Sequence, residues 1–577
     1  MDRDRIIALL LAAVLLGACF VGCSKKPTEA IVTPGPTVEA ATEVPASEGP
    51  FAVPVRMNNG GDLSFLTEAA LSVPKLSEMT YARPDTEKLI SEIETLIDSA
   101  PGYDSADGLL RAYYEIAIRL HNYETMYQLS YYRFCLDPDD DHYADEYGFC
   151  DEQYVIVEEK KGALYAALAA SPFRNELEQA CFGEGFFAEY DGFSEADEQY
   201  FALKQRENEL LFEYYELSAN NDPETDAEIQ WWHETVGGIF IELVKVRQQI
   251  AAAKGFDNYM DYIYASEYKR DYTTEQAREF LDQVRAQLVP LMQDSRIANE
   301  FSVYSMTDES MSMEFLSSAA ENMGDPVWEA FRFMSGHELY DIESSPKKMD
   351  IGYTSYLPDY EAPFIFIDPD SKALTSTLFH EFGHFADAYC GYGFSDSYEI
   401  SETYSQAMQY LAYDYADGFT DSQRARNLRA TLSDLLVYSV LRQGAFGDFE
   451  LRAYSLEPEE LTIDKLDAVY EQCIRDYGLF DYGGFDFKSI YWCFYGHFFG
   501  YPGYVISYSV SAVASLQICR METEEPGAGV EAFRRLLGRS RGVRFSAFLN
   551  EAGLDSPFDA DTMTKTAAFL KKAFGLD

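Results

Sequence analysis

Leu378-Phe379-His380-Glu381-Phe382-Gly383-His384-Phe385-Ala386 sets two imidazoles four residues apart, with a carboxylate between them. On a helix, residues i and i+4 share a face, so His380 and His384 can grip one cation. Glu381 then stands beside that cation, where it can take a proton from water. Zinc suits such donors, because it accepts nitrogen and oxygen ligands, has no redox chemistry and acidifies the water it binds. Two rings do not complete a zinc site, and a third protein donor is required. The stretch Ser397 to Tyr410 (SYEISETYSQAMQY) predicts a second helix facing the first.

Working outward, the body is dominantly helical. Leu89, Ile93, Leu96 and Ile97 recur at three- and four-residue steps. Similar patterns run over 106–135, 154–170, 195–218, 227–254 and 275–292. Lys347 to Asp370 differs: Phe364-Ile365-Phe366-Ile367, between Pro363 and Asp368-Pro369, predicts a strand in a small sheet just ahead of the histidine helix. No repeat of fixed period is present, which argues against a solenoid. Two α/β lobes, as in a solute-binding lipoprotein feeding a transporter, are disfavoured for the same helical reason. The 577 residues carry 45 basic and 98 acidic side chains, a net charge of −53. So acidic a surface repels phosphate backbones and argues against nucleic-acid binding.

The amino end predicts a route out of the cytoplasm. Arg3 and Arg5 precede the apolar run Ile6 to Leu16, followed by Gly17-Ala18-Cys19. Leu16-Gly17-Ala18-Cys19 resembles the lipobox of bacterial lipoproteins, which implies a signal peptide over 1–18 and lipidation of Cys19, with Cys23 the weaker candidate. Residues 19–61, rich in Pro, Thr, Ala and Glu, predict a lipid-anchored tether without a packed core. The lipid bilayer is thus an expected partner, and the expected location is extracytoplasmic, on the cell membrane. The seven cysteines beyond Cys23 are scattered and read as mostly buried thiols.

The HEFGH helix followed by Glu402-x-x-Ser405 resembles the thimet oligopeptidase and oligoendopeptidase F family of zinc metallopeptidases. Val244 to Tyr262, Gly352-Tyr353 with Pro363 to Ile367, and the late cluster His497, Tyr504 and Tyr508 (HFFGYPGYVISY) agree with it in order. The resemblance implies a mostly α, two-lobed peptidase fold that encloses a deep substrate channel, with one small β-sheet beside the HExxH helix. It places an amino-terminal helical lobe over 62–240 and a catalytic region over 241–577. It implies one zinc ion, Glu381 as general base on water at the zinc, and His497, Tyr504 and Tyr508 contacting substrate and stabilising the tetrahedral intermediate. Gly352, Tyr353, Phe364 and Ile365 would line the groove, with Phe364 to Ile367 pairing to the peptide backbone as an added strand. Short unfolded peptides are the implied substrates.

In the family the third zinc ligand is a glutamate 29 residues after the first histidine, and that position is Gln409 here. Glu402 is then expected behind a histidine ligand, orienting it. Asp387, three residues past His384, is expected to be a solvated helix residue. A neutral amide is a poor zinc ligand. A second reading therefore stays open, in which the chain is a non-catalytic peptide-binding lipoprotein that has lost its zinc.

Overall fold

Apolar residues at helical spacing become helices along nearly the whole chain in the computed structural model. It describes residues 73–576 except 184, 191–197, 222, 224, 294–308, 350, 369–373, 396, 481–486 and 539–542. The expected signal peptide, Cys19 and the tether lie outside the described residues. Helices of eight or more residues are numbered in chain order. The first are α1 (Thr86–Ser99), α2 (Ala106–Leu136), α3 (Asp141–Ala169), α4 (Glu198–Asn220), α5 (Asp226–Ala253) and α6 (Tyr259–Ser266). Next come α7 (Thr274–Gln287), α8 (Glu309–Met323), α9 (Val327–Gly336), α10 (Leu374–Gly391), α11 (Tyr398–Tyr415) and α12 (Asp421–Asp434). The last are α13 (Gln443–Ala453), α14 (Ile463–Asp476), α15 (Ile506–Glu524), α16 (Ala528–Leu536), α17 (Phe545–Ala552) and α18 (Ala560–Phe574).

Local chemistry starts several of these helices. Asp85 accepts the Lys88 N–H ahead of α1, and Thr225, Thr273 and Thr420 form capping boxes with Glu228, Gln276 and Gln423. Leu89, Ile93 and Leu96 are buried as their spacing predicts, in a small core with Leu109, Leu164 and Leu168. A second, larger core holds the sheet, the helices that follow it and parts of α2 to α9 before it. The expected lobe boundary at 240/241 falls inside α5, whose Val236, Phe240 and Leu243 all belong to the large core. The small core ends at Phe187.

Three strands form one sheet: β1 (Tyr340–Asp341), β2 (Gly352–Leu357) and β3 (Ala362–Ile367). Their order is β1-β3-β2, with β3 parallel to β1 and antiparallel to β2. Ile365 pairs with Tyr340 on one side and Thr354 on the other, and Phe364 pairs with Ser355. This corrects the expectation that Phe364 and Ile365 pair with a peptide. β3 pairs with β2 along its whole length and with β1 at Ile365 and Phe366, and all six of its residues are buried, so it offers no exposed edge for an added strand. β2 is the outer strand beside the HEFGH helix, and its burial alternates.

The seven cysteines of the body are free thiols, five of them buried and Cys181 and Cys390 half-buried. Among the described residues no helix is long and apolar enough to cross a membrane.

Candidate metal centre

The site is built where α10 and α11 touch. Gly383 makes the contact close: an added Cβ there would stand 2.7 Å from the Ser405 Cα and 2.7 Å from the Tyr404 carbonyl oxygen. Real side chains do not tolerate such distances, so the helices cross at the Tyr404–Ser405 turn only because residue 383 has no side chain. Gly383→Ala is therefore expected to force the helices apart, at about 2–3 kcal/mol of stability, and to weaken any metal held between them. Thermal unfolding and chelator competition measure the two effects. The start of α11 is fixed by a buried network in which Glu399 Oε1 accepts from Arg270 Nε (2.8 Å), Tyr272 Oη (2.7 Å) and Ser507 Oγ (2.8 Å).

That crossing puts Glu402, one turn before Ser405, opposite both histidines. Its Oε2 lies 3.5 Å from His380 Nε2 and 3.9 Å from His384 Nε2. The three ligand atoms lie within 4.8 Å of one another, the one such group of His, Cys, Asp and Glu among the described residues. Ser405 Oγ donates to the same Oε2 at 2.9 Å, and Tyr504 Oη donates to Oε1 at 3.4 Å. Both oxygens of the carboxylate are thus held in place.

Gln409 occupies the opposite side of the His380 ring. Its Nε2 donates to Ser376 Oγ at 2.9 Å, which turns Oε1 toward His380 Nδ1 at 3.3 Å. An acceptor there assigns the proton to Nδ1 and leaves the Nε2 lone pair facing Glu402. His384 Nδ1 lies 3.1 Å from Ser401 Oγ. The geometry therefore revises the expected donor set. Glu402 holds the convergent position expected for Gln409, and Gln409 holds the ring-orienting position expected for Glu402. A count of 29 residues presumes a connection of fixed length between the helices, whereas the meeting point is set by the crossing at Gly383.

The electrostatics favour a cation at this point. Burial pushes His380 down to about 4 and holds His384 well below the ordinary histidine range. Both rings are therefore neutral at pH 7, and they offer lone pairs rather than protons to the Glu402 carboxylate. Two imidazole nitrogens and a carboxylate oxygen are the donors zinc takes. Ligands about 2.0–2.1 Å from a tetrahedral ion stand about 3.4 Å apart, close to the separations found here. The residues present fit zinc.

Glu381 is 1% exposed. Thr354 Oγ1, from the outer strand β2, donates to its Oε2 at 2.8 Å and to its carbonyl oxygen at 2.9 Å. Its Oε1 is buried without a hydrogen-bond donor. Burial pushes the carboxyl up to about 8, with the Thr354 hydrogen bond opposing and Glu402 adding to the rise.

The late cluster sits against the same point. The His497 ring stacks on Tyr495 with centroids 4.9 Å apart, and lies 5.8 Å from Tyr504 and 6.5 Å from Tyr508. Burial, with Arg442 adding to it, lowers His497 to about 4. Tyr504 reaches Glu402 directly, and its ring lies 5.1 Å from Tyr508. Gly352 and Thr354 of β2 flank Glu381, but the Tyr353 ring points the other way and stacks on Phe366 at 5.3 Å. Tyr353 is a core residue here, not a groove residue. Asp387 is 2% exposed and accepts the Gly538 N–H at 3.2 Å, so it is a buried anchor rather than a solvated side chain. Thr354, Ser376 and Ser401 were not singled out by the sequence, because a hydroxyl that orients a neighbour leaves no spacing pattern.

Two family models match the chain: the peptidase M3 N-terminal domain over residues 76–192 and peptidase family M3 over 321–567. Together they cover well over half of the sequence. Among solved structures, PZ peptidase A with an inhibitor is 24% identical, with 87% of this chain and 99% of that one aligned at a TM-score of 0.74. A protein provisionally assigned as oligoendopeptidase F is 25% identical over 87% of this chain and 99% of its own, at a TM-score of 0.72. Another so assigned, from Bacillus anthracis str. Ames, is 20% identical over 87% and 98%, at a TM-score of 0.73. No curated protein is similar enough to register a significant match.

Proposed function

The chain belongs to peptidase family M3, and from that premise we propose that it is a zinc-dependent oligopeptidase hydrolysing short unfolded peptides. The observation that carries this reading is the convergence of His380 Nε2, His384 Nε2 and Glu402 Oε2 beside the buried Glu381. His380, His384 and Glu402 would hold the ion. Zinc bound there supplies a Lewis acid that polarises an amide carbonyl and acidifies water.

The chain's own residues do the rest. Thr354 fixes one oxygen of Glu381 and leaves Oε1 to take a proton from water and pass it to the departing amine. Burial raises the proton affinity of Glu381, and a cation held beside it would draw the carboxyl back to the charged form that accepts a proton first and donates it later. Tyr508 and His497, packed around Tyr504, would donate hydrogen bonds to the developing oxyanion, while Tyr504 steadies Glu402. The outer edge of β2 is where a peptide backbone would pair as an added strand. Because His380 and His384 are each only 8% exposed, a folded protein would not reach them. The amino-terminal sequence supports a place outside the cytoplasmic membrane, on a lipid anchor at Cys19.

The rival reading, a peptide binder without zinc, rested on Gln409 as third donor. With Gln409 behind the His380 ring it loses that support. The test is metal analysis of the purified protein with cleavage of a short quenched fluorescent peptide, free or embedded in a folded domain. About one zinc per chain and cleavage of the free peptide alone are expected. Bound zinc without cleavage would return the peptide binder, and equal cleavage of the folded form would remove the oligopeptidase.

A further inference from the structure

Side chains from three parts of the fold grip the backbone between Phe498 and Tyr504. Arg247 of α5 donates to the Phe498 carbonyl at 3.4 Å and to that of Phe499. Tyr268, just past α6, donates to the Pro502 carbonyl at 3.0 Å. Glu450 of α13 does the reverse: its Oε1 accepts the Gly503 N–H at 2.8 Å.

Glu450 is 1% exposed, and its Oε2 is buried without a hydrogen-bond donor. Burial pushes the carboxyl up to about 8, against the opposing pull of the Gly503 N–H and of Arg270 and Arg247. A carboxyl with an unused oxygen in a core is costly, and an apolar side chain would fill the same space more cheaply. Gly503 itself has little latitude. Its φ is +74°, and an added Cβ would stand 2.8 Å from the Ile263 Cδ1. The next residue is Tyr504, whose hydroxyl reaches Glu402 and whose ring abuts Tyr508.

We propose that Glu450 is the positioning residue of this segment, holding the Gly503 amide so that Tyr504 meets the metal-site carboxylate and Tyr508 faces the reacting bond. Glu450 touches neither substrate nor metal ligand in this arrangement, and it acts through one backbone amide. The inference rests on Tyr504 and Tyr508 working at the metal centre, so its test includes a readout that needs no catalysis.

Hydrogen exchange of the segment and steady-state cleavage are compared in the wild type, Glu450→Leu and Glu450→Gln. The leucine variant should raise exchange at the Gly503 amide by about tenfold while α10 and α11 stay protected. Its kcat should fall by about tenfold with KM changed less than about threefold. Glutamine offers the same acceptor and matches the protonated acid in charge, so it should restore the protection and most of the kcat. Unchanged exchange in Glu450→Leu overturns the proposal whatever the activity, as does exchange raised equally over the whole chain, or raised locally with kcat intact. A wild type that cleaves nothing overturns the functional reading instead, and the exchange result still decides whether Glu450 holds the segment.

Discussion

Glu402→Gln is expected to strip the centre of zinc, whereas Gln409→Glu is expected to tighten it. Glu402 brings the one formal negative charge to the point where the two imidazole lone pairs meet, 3.5 and 3.9 Å away. Removing it leaves three neutral donors for a divalent ion in a site with little water to share the charge. Replacing an outer hydrogen-bond partner costs about 10–100-fold in metal affinity, so loss of a charged ligand should cost roughly a thousandfold or more. Gln409 acts at one remove, by accepting the His380 Nδ1 proton. A carboxylate in its place accepts that proton more strongly and makes Nε2 a better donor, for a gain of about tenfold. Competition with a chromophoric chelator reads both constants without any peptide present. A larger loss in Gln409→Ala than in Glu402→Gln would mean that the amide, after all, holds the metal.

The same pair of residues marks the limit of the sequence. The i, i+4 histidines and the glutamate between them were legible because helix geometry alone brings them together, and His380, Glu381 and His384 do share one end of the site. The third donor depends on how two helices cross. The determinant of that crossing, Gly383 against the Tyr404–Ser405 turn, looks in the sequence like any small residue inside an apolar helix. The Glu402-x-x-Ser405 register, aligned with the count of 29, pointed to Gln409, whereas Ser405 hydrogen-bonds the Glu402 carboxylate itself from one turn away.

The sheet teaches a similar lesson. Phe364-Ile365-Phe366-Ile367 was legible as a strand, but an unbroken apolar run is the pattern of a strand buried on both faces. It should have pointed to the middle of the sheet. Gly352-Tyr353-Thr354-Ser355-Tyr356-Leu357 alternates as an outer strand does, and it is the one that delivers Thr354 to Glu381. Asp387 was misread because a helix position three residues past a ligand carries no mark of what packs over it. The Gly538 turn that covers it comes from 151 residues further along the chain.

Glu381→Gln should separate binding from chemistry. The carboxamide keeps an acceptor for the Thr354 hydroxyl, so the wall between β2 and α10 stays closed and the three zinc donors are untouched. What is lost is a group able to accept a proton at Oε1, the position buried without a donor and turned away from Thr354. General acid–base groups contribute about 10²–10⁴-fold, and this one is used twice, once toward water and once toward the leaving amine. A fall in kcat of about a thousandfold or more is therefore expected, with zinc content and peptide affinity near those of the wild type. Thr354→Val makes the complementary case. It leaves the carboxylate in place but frees it to turn, so kcat should drop by about tenfold. Single-turnover cleavage alongside peptide binding distinguishes these outcomes. Equal cleavage in the wild type and Glu381→Gln would show that the observed hydrolysis belongs to a contaminant or to another group, because the other carboxylate of this centre, Glu402, faces both imidazoles as a metal donor.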